Sequence, residues 1–565
     1  MRVEEGFQPV PFVEGNPYTT DPILPSLLER ILPAGAFEEV HDDLSRFGGE
    51  VLTTLRELCK RSAPPELVQY DSWGRRVDEL RTSEGWRALK EVYHREGAVA
   101  IPYERRYGAH SRVYGFAKLL LANADSEMVD CPMSMTDGVA RVIELQGSSE
   151  LKRDILTRLV SRDPAQAFTA GQWMTERPGG SDVSRTETTA TPSPSPIPSL
   201  YGPEYTLDGF KWFSSATDSD VALALARTGP TSAGARALSL FLLGTRALPT
   251  AELELAGTRA FLLGQAGDGV RAIAPVLGIT RVHSAATSAA HLRKAYAAAR
   301  AHAEGRVVAR GALLRDAPLH VAQLARVGVL YRAVVHLVLG AAGLLGRVEC
   351  GTASEEEGLR LRMVTPAVKA FEAEMCPGAV QECMACLGGQ GYMEESGFAT
   401  LIQDGLVERI WEGTTTVLSL DLLRTVEKGG ALRAFASWAQ VTLDSCPGAL
   451  AEQLGGPLSL LRSAQLSLQD AYVAPVHPLM PRPALFLVAF VTSSLLMLEH
   501  VIWATTTARP EASTEVEVFR RWVLEGGLTS AAEEVARTKS LPRGRTEADG
   551  EISESHCGGG ESKAE

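Results

Sequence analysis

Helix-like and strand-like periodicity do not alternate along this chain; they come in three blocks. To about residue 165 the sequence reads as helix. Examples are DPILPSLLERIL, where Asp21 is placed to cap a helix opening at Pro22, and SRVYGFAKLLLANAD. From roughly 166 to 262, short alternating or apolar runs take over (DVALALARTG, ALSLFLL, TAELEL). Among them TPSPSPIPSLYGP, whose prolines lack backbone donors, reads as an exposed loop between strands. Helical periodicity then returns. AHLRKAYAAARAHAEGRVVARGALL and HVAQLARVGVLYRAVVHLVLGAAGLLG read as long helices, and Val364, Val368, Phe371 and Met375 fall on one helix face. This order implies a mainly α fold with a small central β domain, and excludes the βαβ alternation of a doubly wound sheet. A dinucleotide loop is also missing: Gly340, Gly343 and Gly346 follow no strand, and their GxxGxxG spacing within a helix suits close helix packing. The expected division is 1–165 helical, 166–262 β, 263–428 a helical bundle, 429–540 additional helices, and 541–565 a polar, acidic, disordered tail.

Composition narrows the function. Of 565 residues, 45% are hydrophobic and 22% charged, which is globular and excludes a disordered or collagen-like chain. The net charge is −13, and from Gly429 onward 11 Lys and Arg face 16 Asp and Glu, so nucleic acid is an unfavourable partner. Eight cysteines are too few for a disulfide framework; the lone CxxC of Cys383 and Cys386 reads as two small buried hydrophobes in a reducing compartment. Isolated histidines such as His283 and His320 form no metal-ligand grouping, so no metal is expected. The apolar stretch Pro483–Ala504 meets Glu499 and His500 before reaching the roughly 20 residues a membrane span needs, and is expected to be a core helix. MRVEEGFQPV resembles neither a secretory signal nor an Arg-rich presequence, and SKAE is not a peroxisomal tripeptide. The expected location is intracellular, mitochondrial or cytoplasmic.

Three segments could carry chemistry. In GQWMTERPGGSDVSRTET, Gly179, Gly180 and Ser181 could bring backbone N–H groups and a hydroxyl to a phosphate, or form a plain surface turn. In GFKWFSSATDSD, Trp212 and Phe213 precede Ser214 and Ser215, which suits the face and edge of a flat cofactor ring, or a strand with buried aromatics. In LGGQGYMEESG, glycines 388, 389 and 391 suit the C-terminal cap of a helix. Further on, in LVERIWEGTTTVLSLDLLR, Glu412 stands between Trp411 and Gly413. A carboxylate beside a large aromatic suits a general base with a raised pKa, or caps the next helix.

Taken together, MTERPGGSDV, KWFSSA and IWEGTT resemble the acyl-CoA dehydrogenase family, in particular the branch containing the bacterial alkylation-response flavoprotein, whose members carry extra C-terminal helices. The resemblance spans roughly residues 15–430. It implies an N-terminal helical domain, a β domain and a C-terminal four-helix bundle, with FAD between the last two. By the same resemblance, Met174 and Thr175 contact the flavin, and Gly180 and Ser181 its pyrophosphate. Phe213 packs on the isoalloxazine, with Ser215 near its N5 edge and Ser214 also binding the cofactor. Trp411 and Gly413 flank the catalytic carboxylate Glu412, Thr414 and Thr416 touch the adenosine half, and Arg281 lies beneath the site. The implied reaction takes an α-proton from an acyl-CoA thioester onto Glu412 and a hydride from the β-carbon onto FAD. Electrons then pass to an electron-transfer flavoprotein or to oxygen. A homodimer or homotetramer is implied as well.

Three departures stand against that pattern. About twenty residues usually separate the strand resembling ALSLFL from the motif resembling LGTRALPT, whereas here Leu242 runs straight into Leu243 and Gly244, so unpaired strand edges are expected. The Arg and Phe-Gly that reach a partner's FAD are replaced by Val307, Arg310 and Gly311, with Arg306 adjacent, and a usual Gln is Ala385. These departures motivate an alternative, a catalytically weak or silent scaffold; a DNA-associated flavoprotein is the other.

Overall fold

The computed structural model describes residues 13–193, 199–244, 250–308, 311–542 and 544–554. Their strands are β1 (Glu66–Tyr70), β2 (Arg76–Arg81), β3 (Ala170–Trp173), β4 (Thr189–Pro192), β5 (Glu204–Ser215), β6 (Val221–Arg227), β7 (Leu238–Gly244) and β8 (Thr250–Leu263). The helices that matter to the site are α1 (Glu84–Arg95), α2 (Ser111–Ala122), α3 (Asp130–Gln146), α4 (Gly269–Gly305), α5 (Pro318–Glu349), α6 (Glu355–Cys386) and α7 (Phe398–Val407). The chain divides into two units, one of the described residues in Met1–Ala353 and Glu372–Gly413, the other of those in Ser354–Phe371 and Thr414–Glu565.

In the first unit, the β region is organised by β6, whose VALALAR sequence is buried at every position. Period-two alternation splits it cleanly. Val221, Leu223 and Leu225 join Val139 and Ile143 of α3 and Val276 of α4 in one core. Ala222, Ala224 and Ala226 join Trp173, Phe241 and Leu243 in a second core on the opposite face. The sheet order is β3-β6-β4-β5-β8-β7, and β7 returns to pair with β6, so five strands close on themselves. The expected unpaired edge therefore does not arise: β7 is hydrogen-bonded to β6 from Leu238 to Gly244 and to β8 from Leu240 to Leu243. The connecting residues 245–249, which hold most of the LGTRALPT motif, lie outside the described residues.

Other expectations change in detail. Strand β4 runs into the Pro-rich stretch and ends with Pro192 opposite Tyr205; residues 194–198 lie outside the described residues. The N-terminal block contains an antiparallel hairpin, β1–β2, where helix was expected. Its residues are exposed or half-buried, so no apolar stripe marks it in the sequence. Its turn is held by Asp71, whose Oδ1 accepts from the N–H groups of Trp73 and Arg75. Asp21 does cap, accepting from Ile23 and Leu24 at the start of the helix Leu24–Ile31. The helix containing AHLRKAY stops at Gly305, short of the expected end, and Val307 pairs with Leu313 in a small bridge; Arg310 lies outside the described residues. Gly346 lets helix α5 press on its neighbour, since a Cβ there would lie 2.0 Å from the Ala109 carbonyl oxygen. Cys383 and Cys386 are both buried, and burial pushes both thiols up.

In the second unit, Phe371, Phe490 and Trp522 pack ring to ring, with Phe371 and Phe490 edge-on at 5.0 Å. The apolar stretch expected to be a core helix lies in the helix Pro481–Thr506. This helix and α5 are long and apolar enough to cross a membrane, but 78% and 72% of their most apolar windows are buried in the protein. Part of the expected disordered tail is instead helical, Arg545–Glu554, and residues 555–565 lie outside the described residues.

One buried charge network ties four helices of the first unit. Arg112 of α2 makes a two-pronged contact with Asp137 of α3, with Nη2–Oδ1 at 2.9 Å, and also grips Glu349 of α5. His283 of α4 lies 2.8 Å from the other oxygen of Asp137. Against the cost of burial, Arg112 and His283 hold the Asp137 carboxyl well below the usual carboxylate range. Removing one partner leaves charge stranded in low dielectric. Arg112→Leu is expected to lose about 3–5 kcal/mol of stability at neutral pH, measured by denaturant unfolding. Because Asp137 is depressed in the folded state, its contribution is complete above its unfolded pKa of about 3.9 and is lost as pH falls through its folded value.

Candidate active site

The site is assembled from short irregular segments held by buried polar groups. After β3, the chain turns through Met174–Ser181. Glu176, 4% exposed, accepts from Lys211 Nζ at 2.6 Å and from the Thr188 hydroxyl and the Glu187 N–H. Lys211 of β5 also donates to the Leu225 carbonyl of β6. Burial holds the Lys211 ammonium below its usual range; on Glu176 burial acts upward, but Lys211 outweighs it and the carboxyl lies below its own usual range. The Trp212 N–H then donates to the Thr175 carbonyl at 2.9 Å. The first two sequence motifs are thus bonded side by side, although 37 positions separate Thr175 and Trp212. Gly179 and Gly180 make the turn possible: a Cβ on Gly179 would meet the Asp182 carbonyl at 2.4 Å, and one on Gly180 would meet Thr175 Cγ2 at 2.9 Å. Ser181 is exposed, whereas Met174 is half-buried against the core.

At the end of β5, Phe213 has φ +49° and a side chain 68% exposed, an aromatic held outward by left-handed backbone. Ser215 follows, its hydroxyl 3.1 Å from that of Thr250, and its carbonyl accepts from the Trp173 indole. Ser214 points the other way because the register shifts between Lys211 and Ser214: it is wholly buried, and among the described residues its hydroxyl has no partner. Ser214 is therefore not brought to the surface that Phe213 and Ser215 share.

Glu412 stands in the turn beyond α7 with φ +55°, followed by Gly413 at +101°. Its Oε2 lies 2.6 Å from Thr280 Oγ1, and Arg281 Nε donates to its backbone carbonyl at 3.3 Å. Trp411 donates its indole N–H to Glu408, which is buried and also accepts from Ser284. Trp411, Ser215, Thr250 and Cys131 share a cleft of about 400 Å³. Burial pushes the Cys131 thiol pKa well up, with Asp130, Glu408 and Glu412 adding to the effect. Four of the sequence-identified positions, Ser215, Trp411, Glu412 and Arg281, are thus brought together, with Phe213, Met174, Thr175, Gly180 and Ser181 on the adjoining segments. Thr414 and Thr416 belong to the second unit, where the Thr414 hydroxyl caps the helix Thr415–Glu427 and Thr416 is exposed. Ala385 is exposed on α6, and Val307 is 46% exposed. Among the described residues no metal-binding cluster exists.

Sequence reasoning missed Thr280, Glu408, Cys131 and Thr250. Glu408 stands three residues before Trp411, a spacing that offered a faint signal, whereas Thr280 was marked only by preceding Arg281. Nothing local marks Cys131 or Thr250.

Comparison with known proteins shows the family. Residues 267–426 match the profile of the acyl-CoA dehydrogenase C-terminal domain, and residues 7–164 that of the adaptive response protein AidB N-terminal domain. Acyl-CoA dehydrogenase family member 11 of Caenorhabditis elegans is 40% identical over 453 residues, 74% of this chain and 72% of that protein. Putative acyl-CoA dehydrogenase AidB of Escherichia coli is 30% identical over 454 residues, 74% of this chain and 80% of that protein. The crystal structure of Caenorhabditis elegans ACDH-11 in complex with C11-CoA superposes with a TM-score of 0.87 at 35% identity, covering 97% of each chain. The chain belongs to the acyl-CoA dehydrogenase family, in its AidB-like branch, and is an FAD-dependent oxidoreductase.

Proposed function

We propose that this protein dehydrogenates an acyl-CoA thioester between its α and β carbons, with Glu412 as the base. The observation that carries the proposal is the Glu412 carboxylate, held by Thr280 in a left-handed turn next to a cleft that Trp411 and Ser215 line. The complex of the nematode relative with C11-CoA supports a fatty acyl thioester as substrate.

The chain's own residues fit FAD. Phe213 offers an exposed ring face, Ser215 two residues on pairs its hydroxyl with that of Thr250, and the tight Gly179–Gly180 turn presents the Ser181 hydroxyl. When bound, FAD supplies the hydride acceptor. The protein's task is to bind the thioester, orient it and move one proton. Thr280 suits that task because its single proton has two acceptors: Glu412 Oε2, and the Val276 carbonyl oxygen 3.0 Å away. While Glu412 is ionised, Thr280 donates to it. Once Glu412 has taken the α-proton, it donates to Thr280, whose own proton turns to Val276. One hydroxyl therefore serves both states of the base without leaving a buried group unpaired. Arg281, on the backbone carbonyl of Glu412, holds the turn. The oligomer and the electron acceptor we propose are those of the family resemblance: a homodimer or homotetramer, and an electron-transfer flavoprotein or oxygen.

The purified protein is expected to be yellow and to bleach anaerobically with at least one saturated acyl-CoA; yellow protein that no thioester bleaches would sink the proposal. Glu412→Gln should keep the yellow colour but bleach roughly 10²–10⁴-fold more slowly, the usual contribution of a positioned base. Thr280→Val removes a hydrogen bond to the charged form of the base. The acid limb of its kcat/KM profile should move to higher pH, whereas a purely structural role would lower the profile without moving it.

A further inference from the structure

The cleft beside Glu412 has a second wall that the proposed chemistry does not use. It comes from the two ends of the β1–β2 hairpin: Ser62–Pro65 before β1, and Thr82, Ser83 and Trp86 after β2. We infer that the Trp86 indole closes the acyl end of the cleft and sets the longest acyl chain the enzyme accepts. This deepens the acyl-CoA reading above and rests on it.

Charge decides which part of the thioester lies in this cleft. Among the described residues no Lys or Arg lines it, and its acidic residues are Glu127 and Asp218. The nearby Lys90 is committed, with Nζ 3.1 Å from Asp218 Oδ2. The phosphates of coenzyme A need cations or clustered N–H donors, so the nucleotide end is rejected here. The hairpin wall suits hydrocarbon instead, being built from Ala63, Pro64, Pro65 and Trp86, with Met128 beside them. The thioester group belongs at the Ser215 and Trp411 side, next to Glu412. The chain then runs toward the hairpin.

Trp86 is held as a stop should be. Gly85 before it packs so closely that a Cβ would lie 2.4 Å from the Leu58 carbonyl oxygen and 2.6 Å from the Ser62 nitrogen, which pins the start of α1 to the segment lining the cleft. The Ser83 hydroxyl accepts from the Trp86 N–H and caps the helix. The Lys90 ammonium lies 5.0 Å from the indole centroid, and its bond to Asp218 ties α1 to the turn that follows Ser215. The indole is thus fixed from its backbone, from its ring face and from the opposite wall. A rigid aromatic of this kind does not yield to one more methylene without strain.

The test measures both affinity and turnover of the FAD-loaded protein for straight-chain saturated acyl-CoA thioesters from four to twenty carbons, in wild type, Trp86→Phe and Trp86→Ala. Affinity is read by calorimetry, turnover by anaerobic bleaching. In wild type, affinity should strengthen about fourfold per added methylene and then break at a limiting length. The break should move to longer chains in Trp86→Phe and further in Trp86→Ala. An unchanged break, or a uniform loss at every length, overturns the inference, the second because it places the indole at the mouth. Thermal unfolding and FAD content identify a variant that fails to fold, and Trp86→Phe, the smaller change, then decides. If wild type binds the series but no thioester bleaches it, the dehydrogenase reading fails while the affinity break still judges Trp86.

Discussion

The geometry of this site depends on one buried ion pair, Glu176 with Lys211. Such a pair is a poor source of net stability, because desolvation cancels much of its attraction. Its effect is positional. Glu176 has four ligands drawn from two places, Lys211 on β5 and residues 187–188 just before β4, and Lys211 reaches on to Leu225 in β6. A loop so tied cannot slide against β5, and the bond from Trp212 to Thr175 follows from that register. The phosphate-like turn and the exposed Phe213 ring are neighbours because a charge that cannot be left alone holds their segments together.

Strain concentrates where function is proposed. Phe213, Ala216 and Glu412 are among the few non-glycine residues with positive φ, and so is Met128 in the cleft wall. Each conformation is costly for an L-residue and persists only because its surroundings over-determine it. For Phe213 and Ala216, the surroundings are the paired strand end and the Trp173 indole on the Ser215 carbonyl. For Glu412, they are Thr280, Arg281 and a following glycine. The outcome is an aromatic ring turned outward and a carboxylate held on Thr280 beside the tryptophan that lines the cleft, neither of which regular helix or strand would give.

How much was legible in the sequence follows the range of the forces involved. The three-block order and the core strands were readable because burial imposes a period of two or 3.6 on many successive residues, as VALALAR illustrates. The Glu412 turn was readable because its composition, an acid between tryptophan and glycine, is locally unusual. The hairpin was not, since its exposed residues leave no periodic trace. Thr280 was not, because its part comes from a contact across 132 positions to Glu412, and Cys131 was not, because only the folded chain brings it into the cleft that Ser215 lines. Ser214 was misread for a simpler reason: motif membership says nothing about which face of a strand a residue takes, and the register shift after Lys211 turns Ser214 inward while Ser215 is only half-buried.

The strongest argument for a silent scaffold was the shortened link between β7 and β8, since a sheet that loses a strand exposes edges and loosens what it carries. The closed sheet removes that argument. With β7 bonded to β6 on one side and β8 on the other, the shortening leaves the ladder intact where it meets the site, and Thr250, the first residue of β8, still reaches the Ser215 hydroxyl. A scaffold relieved of catalysis would have no reason to keep Glu412 in a left-handed turn, nor to hold its carboxylate on a hydroxyl that accommodates both protonation states. The features that cost stability are the ones the chemistry needs, and that coincidence favours an enzyme over a remnant.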